Sequence, residues 1–329
     1  MKKLNLLKTA FVAIFAVVAF SCSDDDSSSN DNTIAGIASK NENLSSLVAA
    51  LERAGLTSTL SGAGSYTVFA PTNEAFASFL SANGFANLNA VPVDVLKQVL
   101  LNHVVAGNVQ AAQLPDAGYI KTSATVGGTS TGNTLSMYVN KSSGVKLNGV
   151  ATVTTANVIA SNGVVHIVDA VIALPTVVTF AVADPNFDIL QAALTREGNT
   201  TDFVTALSSA GPFTVFAPTN DAFVSLLSEL GAADLAAIPE PTLDAVLKYH
   251  VASGAFGNVL SSGLTPNGVT TVPTLLGSSA TFDITLPGTG GNIANVTDGA
   301  DRASGIIAVD VQAANGVIHV LNRVLLPGS

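Results

Sequence analysis

The 329-residue chain has no tryptophan, and cysteine occurs once, at Cys22. A single thiol excludes any intramolecular disulfide, so each folded part must be held by its core. Histidine is scarce as well, with only His103, His166, His250 and His319. Two histidines per half, without acids or thiols at short spacing, fall short of the three or four ligands of a zinc site, and no metal is expected. Basic side chains are few, 13 Lys and Arg against 23 Asp and Glu, for a net charge of -10. With no basic patch or aromatic ladder, this excludes nucleic acid as a partner. Phe and Tyr make up the whole 6% aromatic content, which leaves little for an aromatic-lined ligand pocket. The longest apolar run, residues 10–20, is too short to span a bilayer.

That run has the form of an export signal. Lys2, Lys3 and Lys8 precede it, and Ser21-Cys22 follow it. A charged stretch, a short apolar stretch and a processing site make up a signal peptide. The junction resembles the lipobox of bacterial lipoproteins, in which cleavage before Cys22 leaves a lipid-modified cysteine. The small residue before the cleavage site is Ser21, while Ala19 stands where leucine is usual and Phe20 adjoins it. Residues 1–21 are read as the signal and 22–33 as a tether. The tether is Ser/Asn-rich with an acidic run, Asp24-Asp25-Asp26, and such composition cannot bury enough apolar area to fold. Its acidic run resembles the surface-export tag of Bacteroidetes-type lipoproteins. The implied location is the bacterial outer membrane with the body exposed at the surface; the alternative is an anchor facing the periplasm. Loss of Lys2, Lys3 and Lys8 with the signal takes the net charge from -10 to -13. The expected cofactors are none, apart from the covalent lipid on Cys22.

What is present instead is a duplication. Thr67-Val68-Phe69-Ala70-Pro71-Thr72-Asn73 returns unchanged as Thr214-Val215-Phe216-Ala217-Pro218-Thr219-Asn220. A fixed offset of this kind marks a tandem repeat. The motif reads as a strand running into a helix. Val and Phe favour the strand, and Pro71 is expected to end it. Thr72 then caps the helix, and Glu74, or Asp221 in the second copy, sits favourably at the positive end of the helix.

Copy one is placed at residues 34–175 and copy two at 176–327. Each opens with an amphipathic helix: Leu44, Leu47, Val48 and Leu51 fall at i, i+3, i+4 and i+7, with Phe187, Leu190, Gln191 and Leu194 as counterparts. A later helix is expected over 92–105 and again over 241–251. Strand signals follow at Leu135–Val139 and Val145–Leu147, and in copy two at Ala280–Leu286 before the Gly-rich stretch 288–291. The span between the two histidines is six residues longer in copy two. Each copy closes with Asn-Gly and an apolar strand, Asn162–Asp169 and Asn315–Asn322, and then Leu-Pro. Pro175 to Val177 leaves almost no linker, so the copies are expected to be fixed relative to each other.

Three signatures now coincide in each copy: the seven-residue motif, the segment Asn102-His103-Val104-Val105 or Tyr249-His250-Val251, and the closing Asn-Gly-Val-x-His strand. In that order they resemble the fasciclin (FAS1) family over nearly all of residues 34–327. The resemblance implies an α+β fold, two tandem FAS1 domains, each a β-wedge of about seven strands with packed helices. It also implies extracellular adhesion, with the Tyr249-His250 segment at the position tied to receptor contact in animal relatives. Copy one has Asn102 in place of the tyrosine, and copy two has Asn322 in place of Asp169.

No catalysis is expected. Cys22 is taken by the anchor, and no pair of acids is singled out for glycoside hydrolysis. The 288–291 stretch lacks the Gly-Lys-Ser/Thr of a phosphate loop, and Asp298-Gly299-Ala300-Asp301 lacks calcium-loop spacing. The sequence reading is therefore a surface-anchored adhesion lipoprotein. Its candidate residues are Cys22 for the anchor, and Tyr249, His250, Asn102, His103, His166 and His319 for binding. Expected partners are extracellular matrix, polysaccharide or a surface protein, and the membrane through the lipid. The competing reading is an envelope lipoprotein that binds a small apolar or glycan ligand, marked by a closed apolar pocket beside Tyr249-His250.

Overall fold

The computed structural model describes residues 31–128 and 132–328. The signal peptide, Cys22 and all but the end of the tether lie outside them. In copy one the chain forms α1 (Ile34–Lys40), α2 (Ser45–Arg53) and α3 (Thr57–Ser61), then β1 (Tyr66–Pro71), α4 (Asn73–Ala82) and α5 (Val93–Asn102). Six further strands follow: β2 (Val104–Ala106), β3 (Ala117–Thr125), β4 (Thr134–Asn140), β5 (Lys146–Leu147), β6 (Ala151–Ala160) and β7 (Gly163–Val168). Copy two repeats the series as α6 (Val177–Ala183), α7 (Asp188–Leu194), α8 (Phe203–Ser208), β8 (Phe213–Pro218), α9 (Asn220–Leu230) and α10 (Glu240–Tyr249). Its remaining strands are β9 (Val251–Ser253), β10 (Val269–Thr274), β11 (Gly277–Thr285), β12 (Ala294–Thr297), β13 (Ala303–Ala313) and β14 (Gly316–Leu321). Each copy carries one seven-stranded sheet, ordered β2-β1-β7-β6-β5-β4-β3 and β9-β8-β14-β13-β12-β11-β10. The fold is α+β, two tandem domains of the same strand order.

The repeated motif lies one strand in from an edge of each sheet. β1 pairs parallel with β7 and antiparallel with β2, so both of its edges are occupied. Both faces are also buried. Val68 and Ala70 face the helices with Leu47, Phe76 and Leu96, while Phe69 joins Met137, Val139 and Val168 inside the wedge. Burial on both sides suits a parallel strand and accounts for its unbroken apolar run. Pro71 is the last residue of the strand, where it is expected to end. β2 covers only Tyr66–Val68, so the missing N–H of Pro71 faces no partner on that side. Thr72 caps α4 as expected, its Oγ1 accepting from Ala75 N at 3.2 Å.

The helix expected over 92–105 ends at Asn102, and its counterpart ends at Tyr249. The following residues are strands because Val104–Ala106 and Val251–Ser253 pair with β1 and β8. Leu44 lies in a short 3-10 turn ahead of α2 and is still buried. β3, β6 and β10 carry no strand expectation in the sequence reading.

Asn162 and Asn315 fasten each domain's first helix to its closing hairpin. The Asn162 carboxamide accepts from Ile34 N and donates to Leu60 O and Gly62 O. Asn315 makes the matching bonds to Val177 N, Leu207 O and Ser209 O.

Candidate binding site

His103 follows the last turn of α5, and its imidazole points inward. Nδ1–H donates to Val99 O at 2.7 Å, and Nε2 accepts from Ile172 N at 2.9 Å. His250 repeats this with Val246 O at 2.7 Å and Leu325 N at 2.9 Å. The donor and acceptor roles require the neutral ring. Burial brings each pKa down to about 4, only partly offset by the bond to the helix carbonyl. Each ring thus pins the segment after the closing strand to the end of a helix.

The residue beside each histidine differs between copies but does the same kind of work. Tyr249 Oη donates to Thr281 O and accepts from Gly299 N, and its ring packs edge-on to Phe282 at 5.7 Å. Asn102 is shorter and reaches nearer groups: Nδ2 donates to Ile172 O and Ala173 O, and Oδ1 accepts from Thr122 Oγ1. Asp169 and Asn322 are likewise interchangeable here, each accepting a backbone N–H across its hairpin, from Thr152 and Gly305.

His166 and His319 lie inside the two wedges, with ring centroids 5.4 Å from Phe69 and Phe216, stacked in the first pair and tilted in the second. Their Nε2–H groups donate to Val109 O and Val259 O. The N–H groups of the same two valines donate to the motif threonines, Thr67 and Thr214. The histidine and the threonine therefore hold one loop from both sides. Burial lowers the pKa of both rings. The structure does not bring the two histidines of a copy onto one ligand, and the described residues hold no cluster of three or more His, Cys, Asp or Glu suited to a metal. All six sequence-chosen side chains are at most 3% exposed. In this conformation they shape the domains from within and present no contact surface of their own.

The sequence reading misses the seam between the domains. Tyr119 on β3 donates its hydroxyl to Asp184 Oδ2 at 2.8 Å, just beyond α6. Its ring meets Tyr138 at 5.1 Å and Phe180 at 5.4 Å. Burial and the adjacent Asp184 carboxylate drive the Tyr119 pKa far upward. Tyr138 is a member of the copy-two core, with Val177 and Phe180. Ser136 Oγ accepts from both Lys121 Nζ and Gln312 N, and Lys121 also donates to Asp310 O. Ala314 N donates to Pro175 O at 2.7 Å, so the junction itself is part of the seam. A sequence signal was available: Tyr119 and Tyr138 belong to copy one only, and the positions paired equivalently in copy two are Thr271 and Asp283.

Two concavities bear on ligand binding. The apolar cavity bordered by Leu190, Phe216, Leu247 and His250 has a volume of about 30 Å³, room for one water, whereas small-molecule pockets are roughly 300–1,000 Å³. On the outside of copy one, an open groove of about 600 Å³ runs between α2 and α4, over Phe76, Leu80 and Phe85. Ser46 and Ala77 line it; the corresponding copy-two residues, by the shared bonds of Asn73 and Asn220, are Ile189 and Val224. The sequence also contains Gly128-Thr129-Ser130-Thr131-Gly132, which has the spacing of a serine-nucleophile elbow. That elbow joins a strand to a helix; here the flanking elements are the strands β3 and β4 of one hairpin, and Ser130 lies outside the described residues.

A family model for the fasciclin domain matches residues 42–175 and again 185–327. Protein sll1483 of Synechocystis sp. is 42% identical over 143 residues, covering 44% of this chain and 74% of that protein. Human periostin is 31% identical over 280 residues, 82% of this chain but only 29% of periostin. Immunogenic protein MPB70 of Mycobacterium bovis is 33% identical over 151 residues, covering 44% and 71% of the two chains. Among solved structures, a FAS1 domain pair from the insect cell adhesion molecule Fasciclin I aligns at a TM-score of 0.47 and 20% identity, over 84% of this chain and 92% of that one. With both halves matched by the family model and both sheets in the same strand order, the chain belongs to the fasciclin-domain family.

Proposed function

We propose that this protein is a lipid-anchored envelope protein, exposed at the outer-membrane surface, that mediates adhesion through non-catalytic binding. Its partners would be extracellular matrix, polysaccharide or a protein on another surface. The observation that carries this reading is the seam. Two domains without a linker are locked by Tyr119, Tyr138, Phe180 and Asp184, so they present similar surfaces at a fixed spacing. Weak contacts at fixed spacing reinforce each other when the target is repetitive, as matrices and polysaccharides are. The buried histidines, Asn102 and Tyr249 contribute indirectly, by holding the loops and chain ends that shape those surfaces. The small size of the cavity beside His250 weighs against a closed site for a small apolar ligand.

Protease treatment of whole cells tests the placement. Wild-type protein is expected to remain with the membrane and to be cut from outside, while Cys22→Ala protein is expected in the soluble fraction. Wild-type protein that is anchored but protected would overturn surface adhesion and favour an anchor facing the periplasm.

A further inference from the structure

The two domains are copies, so a face covered in one can be compared with the same face in the other. The copies align through their shared bonds. Asn162 takes the N–H of Ile34, and Asn315 that of Val177; Ile37 therefore corresponds to Phe180. Ile159 pairs with Val164 one step before Ala160 and Gly163, and Gln312 pairs with Val317 one step before Ala313 and Gly316; Ile159 therefore corresponds to Gln312. In copy two this face is the docking face of the seam. Phe180 meets Tyr119, and the Gln312 N–H donates to Ser136, so that Gln312 is 0% exposed.

In copy one no equivalent of the β3–β4 hairpin covers the face among the described residues. There Ile159 is 53% exposed and Ile37 is partly buried. The polar residue occupies the covered position and the apolar one the open position, which inverts the usual logic of burial. Ile159 is a single exposed apolar side chain, but it stands at a place the fold already uses for docking, which makes it a candidate contact.

The chain itself indicates what it would contact. Ser161 N donates to Asn32 O at 2.8 Å, so the segment from the anchor arrives beside Ile159. Cys22 is ten residues upstream of Asn32, which limits their separation to roughly 35 Å. Two other occupants fit poorly. Residues 23–31 are Ser, Asp and Asn and have no apolar side chain to offer Ile159. A second copy of this chain would dock through β10 and β11, where Thr271 and Asp283 replace the Tyr119 and Tyr138 that make the seam. We propose that the α1–β6 face of copy one, with Ile37 and Ile159 on it, rests on the lipid surface that holds the anchor. The far end of copy two then points away from the membrane. This orientation rests on the reading of Cys22 as the lipid anchor.

The absence of tryptophan makes the test direct. The chain from Cys22 onward is coupled through this single thiol to a maleimide-headgroup lipid in phosphatidylcholine vesicles with brominated acyl chains. Ile159→Trp places a lone tryptophan on the proposed face; Val269→Trp places one on β10, where Val269 is 54% exposed. The Ile159→Trp protein is expected to lose most of its emission to the bromine atoms, and the Val269→Trp protein to keep it. Emission retained in both, or lost equally in both, overturns the proposal. Hydrogen exchange on the unsubstituted chain supplies a second readout: β6 amides should exchange more slowly on vesicles than free in solution, and equal rates overturn it as well. Because the attachment is chemical, neither result depends on lipidation in cells, which the Cys22→Ala fractionation tests separately.

Discussion

His103 and His250 are two-ended pins, and their chemistry makes two predictions. Each neutral ring donates to one backbone carbonyl and accepts from one backbone N–H. Replacing either with alanine strands both backbone groups inside the core, at a cost of about 2–4 kcal/mol. Denaturant unfolding should show this as a lower midpoint with an unchanged slope, and a change below 0.5 kcal/mol would remove the pin from the account. The second prediction concerns acid. The folded-state pKa of both rings is about 4, below the unfolded value of 6.5. Between these values the unfolded chain binds more protons, so stability falls as pH drops from 6.5 to 4 and the effect is complete below 4. Each histidine should account for about 3 kcal/mol of that loss. Urea midpoints across this range are expected to fall in the wild type and to fall less in His103→Gln and His250→Gln proteins; parallel curves would contradict the buried neutral state. The four histidines were legible in the sequence as special positions, but their role was not. A histidine that pins a chain end and one that meets a partner leave the same letter in the same motif, and only the direction of the ring separates them.

At the scale of elements, the parallel pair β1–β7 depends on a close approach at Gly163. Its φ is +150°, and a Cβ there would stand 1.9 Å from Tyr66 O. Gly163→Ala should therefore break the β1–β7 pairing of copy one rather than perturb it, with loss of that domain's share of the far-UV circular dichroism signal. A variant that folds with nearly native stability would contradict the register described here. The sequence announced this turn by Asn162-Gly163, and it announced β1 by its apolar run. It did not announce β6. That strand faces solvent through Thr154, Thr155 and Ala156, and Asn157 sits at φ +61° in a bulge, so the two-residue alternation that reveals a strand is interrupted. The overlong helix expected over 92–105 has a similar cause. Val104 and Val105 continue the apolar pattern, but β1 offers them a ladder, and the tertiary pairing wins over the local periodicity.

At the largest scale, residues 32–328 are two similar domains joined by one seam. The seam joins Tyr119 and Tyr138 of copy one to Phe180 and Asp184 of copy two. Tyr119→Ala combined with Tyr138→Ala removes two aromatic rings from it, which should cost roughly 3–5 kcal/mol for the buried Tyr138, less for the partly buried Tyr119, and separate the domains energetically. Calorimetry is expected to show one cooperative transition for the wild type and two for the double variant, and an unchanged single transition would mean that the domains are coupled some other way. The tandem was legible from a seven-residue identity, whereas the seam was not, because interfaces are written in the differences between copies. The adhesion reading leans on this rigidity and on the anchor together, and it is tested most directly on cells. Cells lacking the protein are complemented with wild type or with Cys22→Ala, and those retained on a matrix- or polysaccharide-coated surface under flow are counted. The account predicts that wild type restores retention and that Cys22→Ala, released from the membrane, does not. Equal retention of deleted and complemented cells on every coating would contradict it.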